Sequence, residues 1–269
     1  MTIPYITKKQ QEIIKLHYQY RFINTKQIQS FLKHKDKKTI NLWLKDLREK
    51  DYVVWDYDPH TFGENTKLAV YHIGLNGIRF LKTQDNVDRT VIQKLYRDGQ
   101  REDPFIARSI LIAAICLQLE KESIKNESFI TVTASQYAND DSPFHFLTDL
   151  KNHAPGLVII RELVNKKRKR KTYYLLDVID TSLPRYSIRR RMRTYIEFYF
   201  HNTWGNNVNG KFPIIRMIAP TKAILIYAKR FAKKALEDNQ NPKDLHIQVT
   251  TADEIQKQGF TVTPWEEVE

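Results

Sequence analysis

The chemistry-bearing residues of this sequence are mostly cations. Lys166, Lys167, Arg168, Lys169, Arg170 and Lys171 stand in unbroken succession. Like charges at that density repel one another, so the run is costly unless anions are near. Arg185, Arg189, Arg190, Arg191 and Arg193 follow close behind. On a helix Arg185, Arg189 and Arg193 share one face, and positive charge at a helix N-terminus opposes the macrodipole. Two penalised clusters in neighbouring elements point to a phosphate-binding surface. For the run itself, a solubilising hairpin tip or a nuclear-localisation signal remains an alternative.

A third cationic set lies upstream. Lys37, Lys38, Thr39, Asn41, Lys45 and Arg48 alternate with Ile40, Trp43, Leu44 and Leu47, whose spacing is that of one helix face. The lysines would contact phosphates and set register. Thr39 and Asn41 can reach base edges, because asparagine suits paired hydrogen bonds to adenine. The helix start also offers free N–H groups to phosphate. The alternative is a solvated helix face. His60, Asn65 and Lys67 occupy a turn-rich stretch from which they could touch the backbone or the minor groove.

These residues need elements to position them. Thr7–Tyr20 predicts an amphipathic helix, with Thr7 as its cap. A second, short helix carries Ile28, Phe31 and Leu32, capped by Asn24 or Thr25. Asp36 caps a third that runs to about Lys50. The period then switches to that of strands at Tyr52–Tyr57 and Lys67–Ile73, and Leu75–Lys82 closes the unit as a helix. This order is that of a winged helix-turn-helix, whose third helix lies in the major groove. After a polar stretch with a helix at Thr90–Tyr96, Phe105–Glu122 predicts a long helix, apolar over much of its circumference, that packs between two halves and is a candidate homodimer contact. From Phe129 the pattern is α/β. Strands are expected at Phe129–Thr133, Leu157–Val164, Thr172–Ile179, Phe212–Ala219 and Leu245–Thr250. Helices are expected at Phe144–Lys151, Pro184–Trp204, Thr221–Glu237 and Ala252–Gln258. A hairpin followed by βαβα alternation implies a mixed sheet flanked by helices.

Composition agrees with a polyanionic partner. Lys and Arg number 44 against 31 Asp and Glu, a net +13. Such an excess favours DNA, RNA or an anionic surface. A rival is an adaptor whose basic faces meet an acidic protein. Cys116 is the single cysteine, so a reducing compartment is expected. The start of the chain lacks the layout of a signal peptide, and no apolar run approaches the ~18–20 residues of a membrane span. A soluble, cytoplasmic protein with no membrane partner is the expectation.

Catalytic constellations are thin. No His/Cys/Asp/Glu set has zinc spacing, and with 8 glycines in the chain a phosphate-cradling loop is not expected. Asp177 and Asp180 end a strand and Glu197 lies on the next helix. Nucleases hold Mg²⁺ with such carboxylates. Tyr173, Tyr174 or Tyr195 would be the attacking groups of a tyrosine relaxase. Mg²⁺ belongs only to the nuclease alternative; otherwise no cofactor is implied.

In its order of elements the chain resembles the replication-relaxation family of plasmid and mobile-element proteins from Gram-positive bacteria. The resemblance lies in Lys9-Gln-Gln-Glu-Ile-Ile, Phe22-Ile-Asn-Thr-Lys-Gln-Ile, Leu44–Val54 and Tyr71-His-Ile-Gly-Leu-Asn-Gly-Ile-Arg-Phe-Leu. It continues in Pro155-Gly-Leu, Tyr174-Leu-Leu-Asp-Val and Phe212-Pro-Ile-Ile-Arg-Met-Ile-Ala-Pro. It implies a second half of restriction-endonuclease type, marked by a PD-(D/E)xK pattern. Here Pro155-Gly156 stands at the Pro-Asp position, Asp177 at the acidic one, and Ile179 where Lys is expected. A lone Asp cannot both anchor a metal and polarise a phosphate. The expectation is an α+β protein: a winged helix at 1–84, a helical linker at 85–125 and a degenerate nuclease-like α/β domain at 126–269. It would bind double-stranded DNA in plasmid replication, mobilisation or their transcriptional control; a metal-dependent nicking endonuclease is the alternative.

Overall fold

A computed structural model describes residues 3–56, 68–165 and 168–268. The chain divides into two compact units, Met1–Leu117 and Gln118–Glu269.

In the first unit α1 (Lys8–Tyr20) begins at a capping box. Thr7 accepts from the Gln10 amide, and the Gln10 side chain returns to the Thr7 backbone. Ile13, Ile14, Tyr18 and Tyr20 form its buried side. Arg21, at φ 67°, turns the chain out of the helix. The segment 23–24 then forms β1 (Ile23–Asn24), which no periodicity announces: two residues have no period, and pairing to Tyr71 and Val70 alone defines the strand. Asn24 and Gln27 make a second capping box at α2 (Thr25–Phe31). Asp36 caps α3 (Lys37–Glu49), which buries Ile40, Leu44 and Leu47. β2 (Val53–Asp56) and β3 (Val70–Ile73) pair antiparallel, with Val53 opposite Ile73, in a sheet ordered β1-β3-β2. α4 (Leu75–Leu81) follows Gly74. At Gly77 a Cβ would collide with the Tyr52 carbonyl, so glycine there permits the close approach of α4 to the strand. α5 (Arg89–Leu95) and the start of α6 (Asp103–Glu122) complete the unit. Within it Arg21 pairs with the buried Asp98, and the Gln27 side chain donates to the Ile110 carbonyl at 2.8 Å.

The second unit is a six-stranded mixed sheet with helices. β4 (Glu127–Thr133), β5 (Leu157–Asn165) and β6 (Arg168–Val178) form an antiparallel meander. β7 (Ile214–Ala219) and β8 (Ile247–Thr251) join it in parallel, and β9 (Glu266–Glu267) closes the edge antiparallel. The strand order follows the chain. Between strands lie α7 (Ala134–Tyr137), a 3₁₀ segment at His145–His153, α8 (Arg185–Phe200), α9 (Thr203–Asn207), α10 (Lys222–Glu237) and α11 (Ala252–Gln258). Ile188, Met192 and Tyr195 of α8 and Leu225, Ala228 and Ala232 of α10 share a core with Leu175, Ile215, Met217 and Val249 of the sheet. Such a core removes apolar surface from water along one face of the sheet.

Three expectations change. The helix expected at Phe144–Lys151 is 3₁₀ and broken at Lys151, whose φ is 52°. The helix expected at Pro184–Trp204 divides at Asn202, which adopts a left-handed conformation with φ 49°. Arg168–Lys171 of the basic run belong to a strand rather than to a connection: β6 starts at Arg168, and Glu162 stands opposite Lys171 in the ladder. Among the described residues no helix is long and apolar enough to cross a membrane.

Candidate nucleic-acid interface

The α3 surface is built from its cap. Asp36 accepts from the Lys38 and Thr39 amides at 2.9 and 3.0 Å and from the Thr39 hydroxyl at 2.6 Å. The Thr39 hydroxyl, then the Lys38 amide, hold the Asp36 carboxyl below its ordinary pKa. Thr39 therefore serves the cap. Lys37, Lys38, Asn41 and Lys45 are exposed. Lys45 lies 3.8 Å from Glu49, a solvated pair that holds it weakly. The Arg48 guanidinium is 3.7 Å from the centre of the Trp55 ring, which fixes it against β2. Beside Asn41, Leu42 is 65% exposed. An apolar side chain there can meet a thymine methyl. Its signal in the sequence was a leucine off the inner face of the helix. His60, Asn65 and Lys67 lie outside the described residues.

In the second unit Lys166, Lys167 and the Arg168 side chain also lie outside the described residues. Beyond them the charge is partly compensated. Lys169 and Lys171 reach the two oxygens of Glu162 at 2.8 and 3.2 Å. Lys169, then Lys171, hold the Glu162 carboxyl below its ordinary pKa. Arg170, one residue out of phase, points to the opposite face of the strand.

The arginines of α8 separate into groups. Arg185 and Arg189 lie over the rings of Tyr227 and Phe231 of α10, at 5.2 and 5.3 Å. Arg190 and Arg193 are exposed, while Arg191 is buried. α10 adds exposed Arg230, Lys233 and Lys234. This contribution was missed from sequence. Its signal was cations recurring on the side of α10 opposite Leu225, Ala228, Ala232 and Leu236. Arg185 and Arg189 with the α10 cations make a surface interleaved with aromatic rings, whereas Arg190 and Arg193 line a cleft with Tyr186.

The carboxylates proposed for metal chemistry are not assembled. Asp177 has no exposed surface and accepts from Arg191 Nη1 at 2.5 Å, with the Tyr195 hydroxyl at 3.4 Å. Asp177 in turn raises the Arg191 pKa. Asp180 closes a turn by accepting from the Ser182 amide and hydroxyl at 3.0 and 2.6 Å. Glu197 faces a cleft beside α8. The Gly156 amide donates to the Leu176 carbonyl at 2.9 Å, which sets Pro155-Gly156 next to Asp177 but without a second carboxylate. Among the described residues no group of three or more His, Cys, Asp or Glu side chains could share a metal ion.

No family model matches the chain, and no curated protein matches it. Among solved structures it is similar to the restriction endonuclease FokI bound to DNA, at 12% identity and a TM-score of 0.28. The match covers 93% of this chain and 44% of the FokI chain. A likeness that distant carries no argument about activity, so the functional reading rests on the surfaces themselves.

Proposed function

We propose that this chain is a double-stranded DNA-binding protein of a mobile element, acting in plasmid replication, mobilisation or their transcriptional control, of the replication-relaxation type. In this reading residues 1–84 of the first unit are a winged helix-turn-helix, with α3 as its recognition helix and β2 and β3 as the stems of its wing. The second unit is a restriction-endonuclease-like platform that grips flanking DNA without cutting it. Its hairpin, Arg185 and Arg189 of α8, and Arg230, Lys233 and Lys234 of α10 supply the phosphate contacts. The protein works by positioning, as a homodimer where the site is palindromic.

One observation carries the reading: Lys37, Lys38, Asn41 and Lys45 stand exposed on a helix whose other side buries Ile40, Leu44 and Leu47. Lysines that frame a single asparagine suit a groove, where the cations take phosphates and the amide takes a base edge. The buried Arg191–Asp177 pair supports binding over cleavage, because the acid best placed for a metal already has a cationic partner.

The test is footprinting on the DNA that encodes the protein, followed by affinity measurements on the protected site. Asn41→Ala should weaken that site by about 1–3 kcal/mol and leave random duplex unchanged. Equal loss on both would remove α3 as the reader. Affinity for any duplex no better than millimolar at low salt would remove the DNA reading itself.

A further inference from the structure

Beside α8 the second unit contains a cleft of about 1070 Å³. One wall is α8, which presents Tyr186, Arg190 and Arg193 from successive turns; the 3₁₀ segment opposite supplies Phe146, Lys151 and His153. Arg190 and Arg193 are exposed, and among the described residues neither has a carboxylate partner within ion-pair distance. Asp149 and Glu197 also line the cleft, so its charge is cationic but not uniform. Burial, then the charges of Arg191 and Arg190, keep His153 below its ordinary pKa, as expected where the local field is positive.

Two features restrict what fits. First, the site is concave. A duplex presents its phosphates on a convex outside and keeps its base faces stacked within, whereas an unpaired strand can bend into a hollow and turn its bases outward. Second, Tyr186 is 61% exposed at the arginine-lined wall. An exposed ring next to backbone-binding cations is the usual platform for an unpaired base. The wall is also held in place, because the buried Arg191–Asp177 pair ties α8 to β6 and leaves Arg190 and Arg193 to act outward.

We propose that this cleft binds an unpaired, phosphate-bearing segment of DNA, with Arg190, Arg193 and Lys151 on its backbone and Tyr186 stacked on a base. The proposal takes from the DNA-binding reading only the identity of the polyanion. It gives the second unit a substrate that α3 does not share: the strand exposed where a duplex is opened.

The test uses the full chain and three probes: a labelled thymidine oligonucleotide of about ten residues, a random duplex of the same length, and free thymidine monophosphate as competitor. The variants are Arg190→Gln/Arg193→Gln, Tyr186→Ala and, as a control on α3, Lys38→Gln/Lys45→Gln. Both cleft variants should lose about tenfold or more for the single strand and keep duplex affinity; the α3 variant should do the reverse. The monophosphate should not compete at concentrations where the strand saturates. Single-strand affinity unchanged in the cleft variants overturns the proposal, as does equal loss on both nucleic acids. Competition by the monophosphate on a par with the strand overturns it in favour of a free-nucleotide site. Cleft-dependent single-strand binding without any duplex binding upholds the cleft and defeats the duplex reading, so the two failures are distinguishable. A second readout needs no variant. In the wild-type protein the His153 ring should titrate at higher pH once the oligonucleotide is bound, and an unmoved titration counts against the cleft.

Discussion

His17 lies on α1 with no exposed surface. Burial is the main cause that lowers its pKa from 6.5 to about 3. The folded chain therefore refuses a proton that the unfolded chain accepts below pH 6.5. A histidine with a depressed folded pKa contributes stability that is complete above its unfolded value and lost as the pH falls toward the folded one. Between pH 6.5 and about pH 5 the loss is about 2 kcal/mol, at 1.36 kcal/mol per pH unit. Denaturant unfolding of the wild type should show that fall, and His17→Leu should flatten it; a wild-type curve level from pH 7 to 5 would disprove the assignment. Asp177 shows what a sequence cannot give at this scale. That an aspartate ends a strand is legible. That Arg191 reaches it is not, because the contact depends on how α8 settles on the sheet. Removing one member of such a pair strands a buried charge, which makes the pair a fixture of the core rather than a reserve of chemistry.

At the scale of elements, the helices that carry a clear apolar stripe were legible, α1, α3 and α10 among them, since 3.6-residue periodicity and capping residues leave a direct mark. Elements defined by partners were not. β1 exists because Tyr71 lies beside it. The 3₁₀ segment at His145–His153 carries an apolar pattern that fits an α-helix until Lys151 breaks it. The hairpin is the most instructive case. Its cations look unpaired in sequence, yet strand alternation brings Lys169 and Lys171 to the one face where Glu162 waits. Glu162→Gln removes their counter-charge. If the hairpin meets phosphate, that variant should bind random duplex several-fold more tightly at low salt and show a steeper salt dependence, by up to about two counterions. The same affinity and slope as wild type would mean that the hairpin does not contact DNA.

On the scale of the whole molecule, cations are distributed over both units: α3 in Met1–Leu117, the hairpin and the α8–α10 surface in Gln118–Glu269. Net charge was legible from composition, but its allocation was not, because Glu162 and Asp177 each neutralise cations that composition counts as available. A chain that holds one duplex with both units should release about six counterions, giving a slope of log K against log salt of roughly −5. The decisive measurement is additivity. Lys38→Gln/Lys45→Gln should make the slope shallower by about two, and Lys233→Gln/Lys234→Gln by about two more in the combined variant, since each phosphate contact contributes its own counterion. Should only one unit touch DNA at a time, removing the weaker set would leave the slope as it was, and the combined variant would match the stronger single one. Additive slopes also require a duplex long enough to span both sets. Shortening it to about one helical turn should therefore erase the contribution of one unit and return the slope of the corresponding variant, as expected when two linked sites act on one ligand.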